Sequence, residues 1–372
     1  MGLYAVLNVK YIWSAVKYLK IRIHRLITTR YAVKTAVFAV ISIQLIWFTY
    51  LKISRDWCFK GHQHCCEQKT PEFDPNVLTF FSRNGSDVSA GTQTEYKDYL
   101  INPSSLCANR DVFLVIFVTS APDHFEIRNG IRYTWGLHAR DDDVIVRMVF
   151  VIGRTSDSKV QERIRRESII KSDIIQASFV DSYRNLTLKT MSILYWVSHH
   201  CDEARYTMKA DDDVFVHIPN LVAVLQRFNE KPRIILGTVI ASGSPHRESS
   251  SKWHVDYNMY PFSSYPSFVN GPAYVLSHDL VAVLLRRSTS LRLLWLEDVF
   301  ITGICAQGAD VVFIGNCGFG IEKKAAEDWI LSSREVTGHQ YSLQDMRSLW
   351  NKLHNWGIYS HILRFLAILV GS

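Results

Sequence analysis

The chain has 372 residues, of which 48% are hydrophobic and 21% charged. This balance is typical of a globular protein and excludes a disordered or low-complexity chain. The formal net charge is +7, but seven basic residues and no acidic ones stand in the first 34 positions, so the remainder is close to neutral. A generalised basic surface of the kind that binds nucleic acid is therefore excluded.

An apolar run at residues 35–51 follows this basic tract. As a helix, the run would be roughly 25 Å long, near the lower limit for crossing a bilayer. Trp47, Phe48 and Tyr50 at its end suit the interfacial aromatic belt. Because positive charge stays in the cytosol, the pattern predicts a basic cytoplasmic tail at 1–34, a transmembrane signal-anchor helix at 35–51 and a luminal chain beyond it. A buried core helix and a cleaved signal peptide are the alternatives.

The segment 52–108 holds polar and turn-forming stretches without a sustained period, which predicts a luminal stem. We predict a catalytic domain at 109–355 and a short apolar C-terminal tail at 356–372. In that domain, predicted strands alternate with predicted helices: strands at 112–120, 144–152, 174–179 and 205–210, helices at 122–135, 159–171 and 186–199. This alternation predicts a doubly wound α/β sheet.

Seven cysteines suit a luminal protein with disulfides, and their odd number leaves at least one unpaired. They are Cys58, Cys65, Cys66, Cys107, Cys201, Cys305 and Cys317. His62 and His64 lie near two of them, but the sequence has no evident second ligand pair for a structural zinc site, so we interpret the cysteines as disulfide-forming. The sequons at Asn84 and Asn185 predict N-glycosylation of a luminal chain.

Three consecutive carboxylates, Asp211, Asp212 and Asp213, follow the predicted strand at 205–210. Ligands bind at the carboxyl ends of strands in open α/β sheets. Clustered carboxylates repel one another unless a cation intervenes, so the triplet predicts a hard divalent metal with positions open for phosphate oxygens. A solvated acidic turn is the alternative. The similar triplet at 141–143 precedes a predicted strand, and we interpret it as a solvated loop.

Two further pairs have chemistry of their own. Glu297 and Asp298 lie between a Trp- and Leu-rich stretch and an apolar segment, where desolvation would raise a carboxyl pKa toward that of a useful base. A helix N-cap is the alternative. Arg128 and Arg132 are four residues apart and share a helix face, where two guanidinium groups could bind a diphosphate. Pairing with Glu126 and other acids is the alternative.

These segments together resemble the β-1,3-galactosyltransferase family, including its β-1,3-N-acetylglucosaminyltransferase relatives, over about residues 113–352. The motifs occur in family order: 128–136 (RNGIRYTWG), 181–190 (DSYRNLTLKT), 209–216 (KADDDVFV), 265–277, 297–299 (EDV) and 336–350. The segment 268–273 (FVNGPA) departs from the Cys- and Gly-rich run of many relatives, which affects the expected acceptor pocket and any disulfide there.

The resemblance implies a GT-A-type, Rossmann-like fold and an inverting transfer from a uridine-diphosphate sugar. It implies Asp298 as the general base, with Glu297 beside it. On the donor side it implies Asp211 and Asp212 near the ribose and phosphates, with Arg128, Arg132 and Lys189 as further candidates. It implies Asp213 and His339 as ligands of a divalent metal, expected to be manganese.

The expected function is transfer of galactose from UDP-galactose to the 3-hydroxyl of a terminal sugar on a glycoprotein or glycolipid glycan. The expected location is the Golgi membrane, as a single-pass type II protein with a luminal catalytic domain. Transfer from UDP-N-acetylglucosamine remains open, since Asp212 is commoner in that branch. A silent luminal carbohydrate-binding member and a nucleotide-sugar hydrolase are further alternatives, although a silent fold has no need of both acidic motifs.

Overall fold

The computed structural model describes residues 68–70, 73–82, 95–108, 111–140, 144–228, 231–331 and 334–354. The predicted cytoplasmic tail, the transmembrane segment, Asn84, the triplet at 141–143 and the C-terminal tail lie outside these residues. Among the helices that are described, none has the length and apolar character needed to cross a membrane.

Eleven strands and eight α-helices make up the described part of the chain. The strands are β1 (Gln68–Lys69), β2 (Tyr99–Ile101), β3 (Leu114–Thr119), β4 (Val146–Arg154), β5 (Ile174–Val180), β6 (Tyr206–Asp211), β7 (Phe215–Val216), β8 (Ile234–Ile240), β9 (Phe268–Ser277), β10 (Val312–Gly315) and β11 (Thr337–Gly338). The helices are α1 (Pro75–Phe81), α2 (Phe125–Arg132), α3 (Ser158–Lys171), α4 (Leu186–His200), α5 (Ile218–Leu225), α6 (His278–Ser290), α7 (Ala326–Leu331) and α8 (343–354). A π-helix spans Val299–Ile304, and 3-10 turns span Trp135–Arg140, Tyr183–Asn185 and Gln226–Phe228.

Nine strands form one sheet in the order β1-β10-β8-β9-β6-β3-β4-β5-β2. The block β5-β4-β3-β6 is parallel, which confirms the predicted strand–helix alternation there. Beyond this block the sheet is mixed, because β9 runs antiparallel to both β6 and β8. An irregular loop, residues 241–267, joins β8 to β9 in place of the crossover helix that a parallel neighbour needs.

Alternating side chains of the central strand β3 determine the layers. All six residues of β3 are buried, as is usual where both faces of a parallel sheet are covered. Val115 and Phe117 pack in a core that includes residues of α4, α6 and the π-helix. Ile116 and Val118 pack in a second core, with residues of α2, α3 and α5. The result is a three-layer α/β/α domain.

Parts of the segment predicted as a stem belong to this domain. Asp74 caps α1 by accepting a hydrogen bond from the Asn76 N–H, and Val77 and Phe81 of that helix lie in the core. Strand β1 pairs with β10, and β2 pairs with β5. The domain therefore begins before the predicted boundary at residue 109. Elements of two to seven residues are too short to show a hydrophobic period, so the sequence pattern did not indicate them.

A disulfide joins Cys107 to Cys201 at the end of α4, and Cys305 is a free, buried thiol. Luminal disulfides were the predicted role of the cysteines. The bond closes a loop with a sequence separation of 94, which restricts the unfolded chain strongly.

We expect Cys107→Ser to lower the free energy of unfolding by about 2–5 kcal/mol, because the unfolded chain regains the entropy that this loop removes. Urea unfolding followed by circular dichroism measures the change. Cys201→Ser should cost the same, and the double variant little more than either single one. Unfolding of either single variant at the wild-type urea midpoint would show that the bond does not stabilise the domain.

Candidate active site

The candidate site lies where strand order reverses in the parallel block. From β3 the chain continues to β4 and β5 on one side, and then crosses to β6 on the other. Ligands bind at such switch points, outside the carboxyl ends of the strands. Thr119 pairs with Asp211 in the β3–β6 register, and its Oγ1 donates to Asp211 Oδ1 at 2.7 Å. The aspartate triplet therefore stands at the edge that the sequence analysis assigned to it.

A two-stranded ribbon brings His339 to this edge. Strand β11 pairs antiparallel with β7, with Gly338 opposite Phe215. The Tyr341 N–H donates to the Asp213 carbonyl at 2.9 Å, and His339 Nε2 lies 3.2 Å from Asp213 Oδ2. Asp213 and His339, which are far apart in the sequence, thus become neighbours.

Asp211, Asp213 and His339 form a cluster that fits a divalent cation. One ligand atom from each lies within 4.8 Å of the other two, and all three side chains are partly exposed. His339 Nδ1 lies 3.2 Å from the Ile321 carbonyl, which can only accept a hydrogen bond, so Nε2 of the neutral ring has its lone pair free for a ligand. Two carboxylates and one imidazole suit a cation that keeps open positions.

Asp213 and His339 also influence each other's charge. Burial raises the pKa of Asp213, but the hydrogen bond and charge of His339 outweigh it, and the pKa is lowered. Burial lowers the pKa of His339, but Asp213 outweighs it in turn, and the pKa is raised. The Asp213 carboxylate therefore favours the charged form of His339, and a bound cation would take over the balancing of that carboxylate.

Asp212 points away from this cluster. Its Oδ2 accepts from Ser120 Oγ at 2.6 Å and lies 2.8 Å from His124 Nδ1. The hydrogen bond to Asp212 raises the pKa of His124. Asp212 therefore contacts the loop after β3 and not the cation cluster, and its role in donor binding stays a prediction. His124 is a neighbour that the sequence did not indicate.

Lys209 connects the cation side of the site to the predicted base. This buried side chain lies on β6, two residues before Asp211, and its Nζ donates to Asp211 Oδ1 and to the Gly271 carbonyl, each at 2.6 Å. The Gly271 N–H donates to Asp298 Oδ2 at 3.0 Å. A Cβ at Gly271 would meet that carboxylate at 3.1–3.3 Å, so the close approach favours glycine.

Glu297 and Asp298 have different environments. Glu297 is buried at 6% exposure, accepts from the Tyr274 hydroxyl at 2.6 Å and lies 3.8 Å from Lys209 Nζ. Asp298 keeps partial exposure and also accepts from the Val299 N–H at 2.9 Å, at the start of the π-helix. Burial raises the pKa of both, that of Glu297 to about 7. Asp298 is thus the N-cap of the π-helix as well as the predicted base, whereas the Glu297 side chain faces the interior.

The predicted donor-binding cations have carboxylate partners. Arg128 and Arg132 share the predicted helix face, are buried, and both bind Glu167; Arg132 also binds Asp173. Arg128 further donates to the carbonyls of residues 121 and 122. Pairing of the two arginines with acidic residues was the alternative to diphosphate binding. The acids are Glu167 and Asp173, in and just after α3, and not Glu126. The guanidinium groups support the loop beside Asp212 and do not present a free face to a diphosphate.

Lys189, like Arg128 and Arg132, is buried and paired with a carboxylate. Its Nζ donates to the Ser120 carbonyl at 2.9 Å and lies 2.8 Å from Asp181 Oδ2, with 3% of the side chain exposed. It therefore supports the same loop as Arg128 does, from α4. Direct contact of Lys189 with the donor stays a prediction.

The sequon at Asn185 is built into the fold. Asn185 Nδ2 donates to the Val180 carbonyl at 2.8 Å, and the buried Thr187 Oγ1 donates to the Leu294 carbonyl at 2.7 Å. These contacts give both sequon residues structural roles. Glycosylation at Asn185 stays a prediction.

Residues 126–316 match the protein family described as Galactosyltransferase. The chain is 36% identical over 258 residues to beta-1,3-galactosyltransferase 1 of Mus musculus and of Homo sapiens, covering 69% of this chain and 78% of each relative. It is 37% identical over 267 residues to a lactosylceramide 1,3-N-acetyl-beta-D-glucosaminyltransferase of Xenopus tropicalis, covering 68% of this chain and 69% of that relative. The solved galactosyltransferase LgtC aligns over 64% of this chain and 95% of its own, with 10% identity and a TM-score of 0.36.

The raised pKa of Glu297 predicts a pH-dependent stability. The folded protein keeps a proton on Glu297 up to a pKa of about 7, whereas the unfolded chain releases it near 4.5. The unfolded state therefore loses protons first, and the free energy of unfolding should fall as pH rises from about 4.5 to about 7. Glu297→Gln, which mimics the protonated form, should remove this fall, on the order of 3 kcal/mol.

Urea unfolding at pH 5 and pH 7.5 measures the difference between wild type and variant. Exposed Glu248 provides a matched control, since Glu248→Gln should leave the wild-type pH dependence in place. Identical pH profiles for wild type and Glu297→Gln would contradict the raised pKa.

Proposed function

Because the chain belongs to the galactosyltransferase family, we propose that it is an inverting, metal-dependent β-1,3-hexosyltransferase. Its proposed reaction moves galactose from UDP-galactose to the 3-hydroxyl of a terminal sugar on a glycoprotein or glycolipid glycan. The observation that supports this best is that the cation-binding cluster and the partly exposed Asp298 are connected through Lys209 and Gly271. A GT-A-type fold is part of the proposal, and the parallel block with the triplet at its switch point supports it.

In this proposal, Asp211, Asp213 and His339 hold a divalent cation, for which manganese is the proposed identity. When bound, such an ion stabilises the negative charge of the departing diphosphate. Asp212 stays with Ser120 and His124, where it shapes the loop next to the nucleotide.

Asp298 is the proposed general base. The N–H groups of Gly271 and Val299 fix its carboxylate, and its raised pKa improves its capacity to accept a proton. It takes the proton of the acceptor hydroxyl while that oxygen forms a bond to the anomeric carbon. The bond from the anomeric carbon to the diphosphate oxygen breaks on the opposite face, and UDP leaves. A single displacement needs only one such base and inverts the anomeric centre.

UDP-N-acetylglucosamine is the second candidate donor, because relatives of similar identity carry both kinds of name. A catalytically silent, carbohydrate-binding protein is the third, but it would have no need for a cation cluster joined to a base. We also propose the Golgi membrane as the location, with the catalytic domain in the lumen; the basic tract and apolar run at 1–51 support this.

Turnover of the full chain with a panel of UDP-sugars, with and without manganese, tests the proposal. We expect transfer from UDP-galactose only when manganese is present. Asp298→Asn should keep donor binding and lower kcat by about 10²–10⁴-fold, because the proton acceptor is lost. Asp213→Ala should weaken metal-dependent UDP binding. Unchanged kcat in Asp298→Asn, or unchanged donor affinity in Asp213→Ala, would refute the respective role.

A further inference from the structure

Three segments bring aromatic and cationic side chains together near Asp298. Trp295 precedes the π-helix, Tyr183 and Arg184 lie in the turn before α4, and Lys252 and Trp253 come from the loop 241–267. We call these five residues the aromatic–cationic patch. The rings of Tyr183 and Trp295 are 5.9 Å apart, Arg184 Cζ lies 3.9 Å from the Trp295 ring, and Lys252 Nζ lies 4.4 Å from the Tyr183 ring.

The patch is anchored close to the proposed base. Trp295 is three residues before Asp298, and three residues of chain span at most about 11 Å. Thr187, in the first turn of α4 directly after the Tyr183–Asn185 turn, donates a hydrogen bond to the Leu294 carbonyl of this same segment. A disaccharide is about as long as this span, so a sugar that reacts at Asp298 has its own second residue or substituents within reach of the patch.

The loop that supplies Lys252 and Trp253 is held in shape by a partly buried network of hydrogen bonds. The Arg247 guanidinium donates to the carbonyls of Val255, Tyr260 and Phe262 at 2.8–2.9 Å. One side chain therefore satisfies three carbonyls of the loop. Because the loop is already ordered, ligand binding does not have to pay the entropy of ordering it.

The exposed groups of the patch suit a sugar that carries negative charge. Tyr183 is 41% exposed and Trp253 is 48% exposed, so part of each aromatic side chain is open to solvent. Arg184 and Lys252 are exposed cations, and in the described part of the chain neither forms an ion pair with a carboxylate. Because no described carboxylate neutralises them, these two cations create a local positive potential that attracts an anion.

We propose that the aromatic–cationic patch is an acceptor subsite that selects a glycan with a carboxylate or sulfate group next to the reacting sugar. The proposal rests on the proposed transferase function. In it, Tyr183 and Trp253 contact sugar rings, and Arg184 and Lys252 bind the anionic group.

The test compares three disaccharide acceptors that differ only in the second sugar: a neutral hexose, its uronic acid and its sulfate ester. With the full chain and one fixed donor, we expect kcat/KM to be at least about 10-fold higher for an anionic acceptor, since hydrogen bonds to charged groups contribute that much or more. A preference for the uronic acid or for the sulfate ester identifies the group, and either one supports the proposal.

Variants test whether the patch causes the preference. Lys252→Met with Arg184→Met should lower the anionic-to-neutral ratio of kcat/KM about 10-fold, mainly through KM. Lys171 provides a matched control, because its Nζ also lies over an aromatic ring, 5.4 Å from that of Tyr133, on another part of the surface. Lys171→Met should keep the wild-type ratio.

The outcomes separate this inference from the proposed function. Equal kcat/KM for neutral and anionic acceptors would overturn the subsite. So would an anionic preference that survives the double substitution. In both cases donor binding and turnover are intact, and the transferase proposal stands. Absence of metal-dependent donor binding and of transfer to every acceptor would instead overturn the proposed function itself.

Discussion

The site depends on one buried ammonium group. Lys209 lies between Asp211, Glu297 and the Gly271 carbonyl, where the two carboxyl groups would otherwise lack a balancing charge. Burial alone would lower the pKa of Lys209, but the neighbouring Asp211 and Glu297 outweigh it and keep the pKa raised, so the side chain stays charged. Removing one partner of a buried ion pair typically costs about 3–5 kcal/mol, which gives the arrangement a strong preference for lysine.

The mixed sheet is what makes this contact possible. Lys209 on β6 is paired in register with Tyr274 on the antiparallel β9, and Tyr274 donates to Glu297. Had β9 been replaced by a parallel strand, a crossover helix would stand where the loop 241–267 now lies. The antiparallel strand therefore brings together Gly271, Glu297 and Asp298 on one side of Lys209 and the cation cluster on the other.

Local pattern predicted the parallel block and the position of the triplet, because a buried strand followed by carboxylates is a short-range signal. Contacts between residues that are distant in the sequence were harder to predict. His339 could be named only through resemblance, since the β7–β11 ribbon that brings it to Asp213 consists of two-residue strands. The spacing of Arg128 and Arg132 correctly indicated a shared face, but not Glu167, which pairs with both. A lysine two residues before Asp211, on the same face of a buried strand, was a signal for Lys209 that the sequence analysis left unused.

The most direct test of this account is the effect of Lys209→Met on donor binding and on transfer. We expect donor binding and transfer to weaken together, with kcat/KM lowered by at least about 10²-fold. The reason is that one substitution removes the partner of Asp211 and also the contact with Gly271 that positions Asp298. Lys231→Met, at an exposed lysine near Phe228, is the control that should behave as wild type. A folded Lys209→Met protein with wild-type metal-dependent UDP affinity and wild-type kcat would contradict the account.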